Sequence, residues 1–244
     1  MNRNFWQKEC FGKIDTLQYE CSVCHGNVVP ITAYDFHSSK CYKSFNPAPF
    51  DECNYITAVL LKCSNCGKEY LLLADVTENV WADVKIKELE EVISVPETQI
   101  VPKFIYPSVH IIRCERPVPK RIRQYLESSF SLYYVDIQMC AAYLRKTIEA
   151  VLTHQKLSQD SLIHKINHVE NKWIKSLLIG IKDLGNTGIH ANYYSKKITR
   201  ADVLDGYEIL EEILDEYYYH SKDNKVLKAQ RLSQKFSNQK SKVK

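Results

Sequence analysis

Two Cys-x-x-Cys pairs, Cys21/Cys24 in YECSVCHGN and Cys63/Cys66 in LKCSNCGKE, restrict what this chain can fold into more than any other feature. Two thiolate pairs supply the four soft ligands of a tetrahedral zinc ion, and a site filled by four protein ligands leaves no place for water or substrate. β-type residues flank both pairs, over Gln18–Pro30 and Val59–Val76, so each pair is expected at a hairpin tip. The first third therefore reads as a zinc ribbon in which Cys21, Cys24, Cys63 and Cys66 hold a structural zinc. Gly67 follows the last ligand, where positive φ lets backbone amides turn toward sulfur. His25, next to Cys24, is expected to support the site by a hydrogen bond rather than to ligate. The stretch between Cys24 and Cys63 is longer than a ribbon requires, so 34–54 reads as an insertion. It carries His37, Cys41 and Cys53, which together with Cys10 offer a second, more scattered set of metal ligands.

With 244 residues, 45% hydrophobic and 25% charged, the chain can build one large domain or two modest ones. No apolar stretch near Met1 is long enough for a signal peptide, and runs such as Leu177–Ile181 fall far short of a membrane span. A cytoplasmic protein without a membrane partner is the expectation. Nine cysteines, an odd number, fit a reducing compartment with metal, and Cys114 and Cys140 read as buried free thiols. The net charge of +4 is unevenly placed: residues 225–244 hold seven Lys or Arg and no acid, leaving −3 on the first 224 residues. A zinc bound by four thiolates lowers that body charge by about 2 more. The body is thus no basic platform for nucleic acid. The tail is either a solvated extension or a non-specific phosphate binder.

Residues 77–117 read as a connector, charged over Lys85–Glu91 and then punctuated by Pro96, Pro102, Pro107 and Pro117. Within it Ile100–Ile112 is β-rich enough to extend the sheet. Past Arg116 the period turns helical. Helices are expected over Lys120–Tyr133 and Val135–Gln155, the second carrying Arg145 and Glu149 as an i, i+4 ion pair. A short helix follows at Leu162–Val169, then one over Trp173–Leu184 stopped by Gly185 as a left-handed cap. Thr199 and Asp202 form a capping box for a long fifth helix. His164 and His168 read as helix surface, and the tyrosine pairs as packing at helix ends. The expected fold is α+β, a small β-rich module over 1–116, an all-α bundle over 117–224 and a basic tail over 225–244.

The segments VPKRIRQYLESSFSLYY, AAYLRKTIEAVL, IKDLGNTGIHA and ITRADVLDGYEILEEIL together resemble a prokaryotic family, domain of unknown function forty-one forty-five. The resemblance covers 118–216 and implies a HEPN-like helical bundle, often preceded by a zinc ribbon and found in some type I restriction enzyme motor subunits. A role in restriction or anti-phage defence, and a homodimer through the helical domain, follow from it as expectations. Leu204, Ile209 and Ile213, beside the core stripe of the fifth helix, suit the extra apolar surface of a dimer.

HEPN ribonucleases use an Arg, a polar residue next to it and a His four positions after that residue. Asn186 and His190 match the last two, but Gly185 stands where the Arg belongs. Lys182 and Arg145 are the cations that could replace it, and a missing transition-state cation costs several kcal/mol of barrier. On the structural reading, Gly185 and Gly188 make a turn in which Asn186 and His190 bond to backbone or to Arg145 and Glu149. Two functions stand side by side. One is a non-enzymatic zinc-ribbon/HEPN-like module that binds nucleic acid or a partner protein. The other is a metal-independent HEPN-type ribonuclease acting as a dimer, with His190 as general acid or base. No Gly-rich phosphate loop or Ser-His-Asp set points to any other chemistry.

Overall fold

Period-two alternation buries Thr57, Val59, Leu61 and Cys63 on one strand and Tyr70, Leu72, Ala74 and Val76 on the next, while Ile56 and Leu71 face outward. A computed structural model of the protein describes residues 1–12, 17, 19–36, 53–86, 91–157, 161–189 and 197–240. It sets those strands in a five-stranded antiparallel meander of order β1-β2-β3-β4-β5, comprising β1 (Tyr19–Glu20), β2 (Asn27–Phe36), β3 (Cys53–Cys63), β4 (Glu69–Ile86) and β5 (Glu91–Tyr106). A short helix, α1 (Arg3–Trp6), precedes the sheet. Helices α2 (Lys120–Leu132), α3 (Ile137–His154), α4 (Leu162–Asn167), α5 (Lys172–Ile189), α6 (Arg200–Leu214) and α7 (Ser221–Lys240) follow it, with a π-helical turn at Asp215–Tyr219 between α6 and α7. The fold is α+β.

The sheet is larger than the small module expected. Most of the supposed connector is strand: β4 runs on to Ile86 and pairs with β5 from Leu71↔Tyr106 out to Ile86↔Glu91. Pro96 and Pro102 sit within β5, which lies at the edge of the sheet. An edge strand needs hydrogen bonds on one side only, so proline is tolerated there, and the ladder shifts register beside Pro102.

Sheet and helices share one hydrophobic cluster that runs across residue 116. α1 is wedged at its centre. The Trp6 ring meets Tyr19 of β1 at 5.6 Å and Tyr133 at the end of α2 at 5.4 Å, and the Tyr133 hydroxyl donates to the Trp6 carbonyl oxygen at 2.7 Å. A second tie joins Glu115 to the π-turn. The Glu115 amide donates to the Tyr219 hydroxyl at 2.9 Å, and the Arg113 guanidinium lies 4.1 Å from the Tyr219 ring centre.

Two helices depart from expectation. α5 does not stop at Gly185 but continues to Ile189, because Gly185 and Gly188 are contact points rather than caps. A methyl group at Gly185 would collide with Arg145 Cβ and stand 3.0 Å from the Ala141 carbonyl oxygen; one at Gly188 would collide with the Gln138 carbonyl oxygen. The two glycines let α5 lie directly on α3, which offsets their poor helix propensity of roughly 1 kcal/mol each. In α6, Leu204 and Ile213 are fully buried and Ile209 packs against the core. Apolar surface counted toward a dimer is thus consumed inside the chain.

Candidate metal centre and the α3–α5 site

The cysteine pairs sit at the same end of the sheet in two loops of equivalent backbone. In the first, the Cys21 amide donates to the Gly26 carbonyl at 2.9 Å and the His25 amide to the Cys21 carbonyl at 3.1 Å. In the second, the Cys63 amide donates to the Lys68 carbonyl at 2.8 Å and the Gly67 amide to the Cys63 carbonyl at 3.1 Å. The residue after each second cysteine is left-handed, Gly67 at φ 73° as its type suggests and His25 at φ 60° despite its side chain. The Ser64 amide donates to the Asn27 carbonyl at 2.9 Å and locks the loops together.

This repeat brings Cys21, Cys24, Cys63 and Cys66 together, with all four sulfurs within 4.8 Å of one another. Cys21 and Cys66 are 3.6 Å apart and Cys24 and Cys63 3.4 Å apart, against about 3.8 Å for two sulfurs on a tetrahedral zinc with 2.3 Å bonds. Amides and a hydroxyl already point at the sulfurs: the Val23 amide to Cys21 and the Asn65 amide to Cys63, each at 3.4 Å, and the Tyr70 hydroxyl to Cys21 at 3.3 Å. Burial pushes the Cys21 thiol up, but hydrogen bonds from Tyr70 and from the Cys24 and Val23 amides outweigh it and lower it. The Cys24 thiol is lowered chiefly by the Gly26 amide. Cys66 goes the other way: although the Lys68 amide lowers it, crowding by the other three thiols and burial push it up to about 12. Four sulfurs this close call for a cation rather than a fourth proton, so the donor set fits a divalent soft metal.

His25 does not reach the sulfurs. Its Nδ1 pairs with the Glu20 carboxylate, and its Nε2 lies 3.5 Å from Glu115, so it ties the first loop to the segment that leads into α2. Of the second metal set, His37 and Cys41 lie outside the described residues, and Cys10 is exposed. Cys114 and Cys140 are buried thiols as expected. Burial pushes them up to about 12 and about 11, which leaves both as unreactive packing groups.

In the helical region the expected Arg145–Glu149 pair does not form. Glu149 instead faces Lys165, at 3.7 Å, because α4 packs beside α3 and α5 and brings the largely buried Lys165 to that carboxylate. Arg145 is instead pressed against α5 at Gly185, and its buried Nε has no hydrogen-bond partner. Asn186 and Lys182, one helical turn apart on α5, are half-buried, and Lys182 pairs with Asp183 at 2.7 Å. His190 lies outside the described residues, as does the Tyr193-Tyr194 pair. The α3–α5 crossing thus sets Arg145 against Gly185, the residue before Asn186. Sequence reasoning missed Lys165, which no local spacing links to Glu149.

Residues 127–239 match the family model described as Domain of unknown function (DUF4145). The match begins inside α2 and ends in α7, so the basic helix belongs to the matched region rather than hanging beyond it. No curated protein and no solved structure matches the chain. No helix among the described residues is long and apolar enough to cross a membrane.

Proposed function

We propose that the chain is a non-enzymatic binding module, a zinc ribbon joined to a HEPN-like bundle, that engages nucleic acid through its phosphate backbone. Helix α7 carries this reading. It spans Ser221–Lys240, and Lys225, Lys228, Arg231 and Lys235 are all exposed with no acid on the helix from Lys225 onward. A rigid rod spaces these cations where a solvated coil would not, and phosphates are the polyanions that such a row neutralises. The four-thiolate site supports a structural part for zinc, since its ligands leave no open position. The setting in restriction or anti-phage defence rests on the resemblance alone.

Fluorescence anisotropy with labelled duplex and single-stranded probes tests the reading. Binding at low salt should weaken with a log–log salt slope of about −4 if the four exposed cations each displace a counterion. Replacing Lys225, Lys228, Arg231 and Lys235 with Gln should abolish it. Unchanged binding in that variant, or none in the native chain at low salt, refutes the proposal.

One observation favours the second reading, a metal-independent ribonuclease acting as a dimer. Arg145 holds an unpartnered, buried Nε beside α5, one residue from Asn186, where a cation for a scissile phosphate would be needed. RNA cleavage in EDTA that His190→Ala abolishes would establish it.

A further inference from the structure

A cavity of about 540 Å³ opens between α2, α3 and α4. Its walls are apolar where Ile122 and Tyr125 of α2 meet Ala150 of α3. Its charged groups are mostly of one sign. Arg121 and Lys146 stand at the rim, and among the described residues neither has an acidic partner; Arg121 donates to the Tyr125 hydroxyl at 3.4 Å and Lys146 lies 4.7 Å from the Tyr143 ring centre.

Lys165 is the most informative of the lining groups. It is only 9% exposed, an unusual state for an ammonium group. Its Nζ donates to Thr153 Oγ1 at 3.0 Å, and the Glu149 carboxylate lies at 3.7 Å, beyond hydrogen-bond length. An ammonium group has three N–H donors, and among the described residues Thr153 Oγ1 is the one hydrogen-bond acceptor of Lys165, which leaves donors for a ligand in the cavity. Among the described residues, Glu149 is the single acid of the lining against Arg121, Lys146 and Lys165.

We infer that this cavity is a binding site for a compact organic anion, with a carboxylate or phosphate headgroup on an apolar body. The headgroup meets Lys165, with Arg121 and Lys146 closing over it, and the body lies along Ile122, Tyr125 and Ala150. The volume is that of an ordinary small-molecule site, and a few polar groups in an apolar wall are the usual means of fixing orientation. Charge-assisted hydrogen bonds to a largely buried ammonium distinguish an anion from its neutral isostere. The site is separate from α7 and from the α3–α5 crossing, so it stands or falls independently of nucleic-acid binding.

Fluorine NMR on the full chain tests it, with para-trifluoromethylbenzoate as the probe, the corresponding benzamide as its neutral isostere, and phenyl phosphate as competitor. The acid should bind saturably at one site per chain, at least about tenfold more tightly than the amide. Lys165→Met should weaken the acid by at least about tenfold and Arg121→Gln, on the exposed rim, by about threefold, with helical circular dichroism unchanged. Displacement by phenyl phosphate at lower concentration than by unlabelled benzoate assigns the headgroup as phosphate, and the reverse order as carboxylate; either supports the site. Should Lys165→Met fail to fold, Arg121→Gln and the amide comparison decide. An amide that binds as tightly as the acid, affinities unchanged in Arg121→Gln and Lys165→Met, or no saturable binding of either anion overturns the inference.

Discussion

At the cysteine end of the sheet, four sulfurs converge within 4.8 Å in loops whose tips, such as Val23 and Asn65, are exposed. At the α3–α5 crossing, two backbones lie too close for a Cβ at Gly185 or Gly188, inside a layer that includes the fully buried Leu144, Ile148 and Leu178. Loops with exposed tips and four converging sulfurs are expected to draw their strength from a shared metal, whereas the crossing needs only shape. The contrast predicts opposite sensitivities: the first place should answer to chelators and hardly to volume, the second to a single methyl group and not to metal.

Removing a ligand should have the largest effect. Cys66→Ser is expected to unfold the cysteine end, since metal binding and folding are coupled in such sites at about 10 kcal/mol. Because Trp6, Tyr19 and Tyr133 share one core, the damage should reach the helices as a lower melting temperature of the whole chain. Calorimetry showing an unaltered helical transition would separate the two regions more sharply than the shared core allows.

Next comes the joint between them. Burial, with His25 and Arg123 nearby, lowers His110 from 6.5 to about 4. Its folded value lies below its unfolded one, so the unfolded chain binds more protons between those limits. Stability is full above about pH 6.5 and falls by about 3 kcal/mol as pH drops toward 4. Denaturant titrations of the native chain and His110→Phe should diverge over that window and run parallel above it.

A methyl group at the crossing should cost less. Gly185→Ala is expected to lose about 2 kcal/mol, because the new carbon meets Arg145 Cβ and the Ala141 carbonyl, neither of which can swing aside. At Gly206 the nearest atoms are methyl tips of Leu184 and Leu144, so Gly206→Ala should cost clearly less. Equal losses in urea melts would deny that the α3–α5 contact is the tighter one.

Smallest is the capping box. Thr199 donates to and accepts from Asp202, and Thr199→Ala should cost about 1 kcal/mol in urea melts with the metal content of the chain unchanged.

What the sequence disclosed follows from how local each feature is. The cysteine loops, the positive φ of Gly67 and the Thr199–Asp202 box are set by residues within five positions of one another, and all were legible. The β4–β5 hairpin was not, because prolines that end a central strand are harmless in an edge strand, and edge position is a property of the whole sheet. Gly185 was misread for a similar reason: a glycine near a helix end looks like a cap until the partner helix that needs its missing side chain is known. The Arg145–Glu149 pair had the right spacing, yet Lys165, sixteen residues beyond Glu149, takes the carboxylate. The anion cavity is assembled from three helices, and no stretch of sequence contains it.

Native mass spectrometry of the purified full chain, before and after chelation and beside Cys66→Ser, tests most directly whether the cysteine end is held by metal. One zinc ion per chain, lost from the variant and removed by chelator together with a fall in melting temperature, is the predicted result. A metal-free chain whose melting is indifferent to chelator, or a Cys66→Ser protein that keeps its zinc, would contradict it.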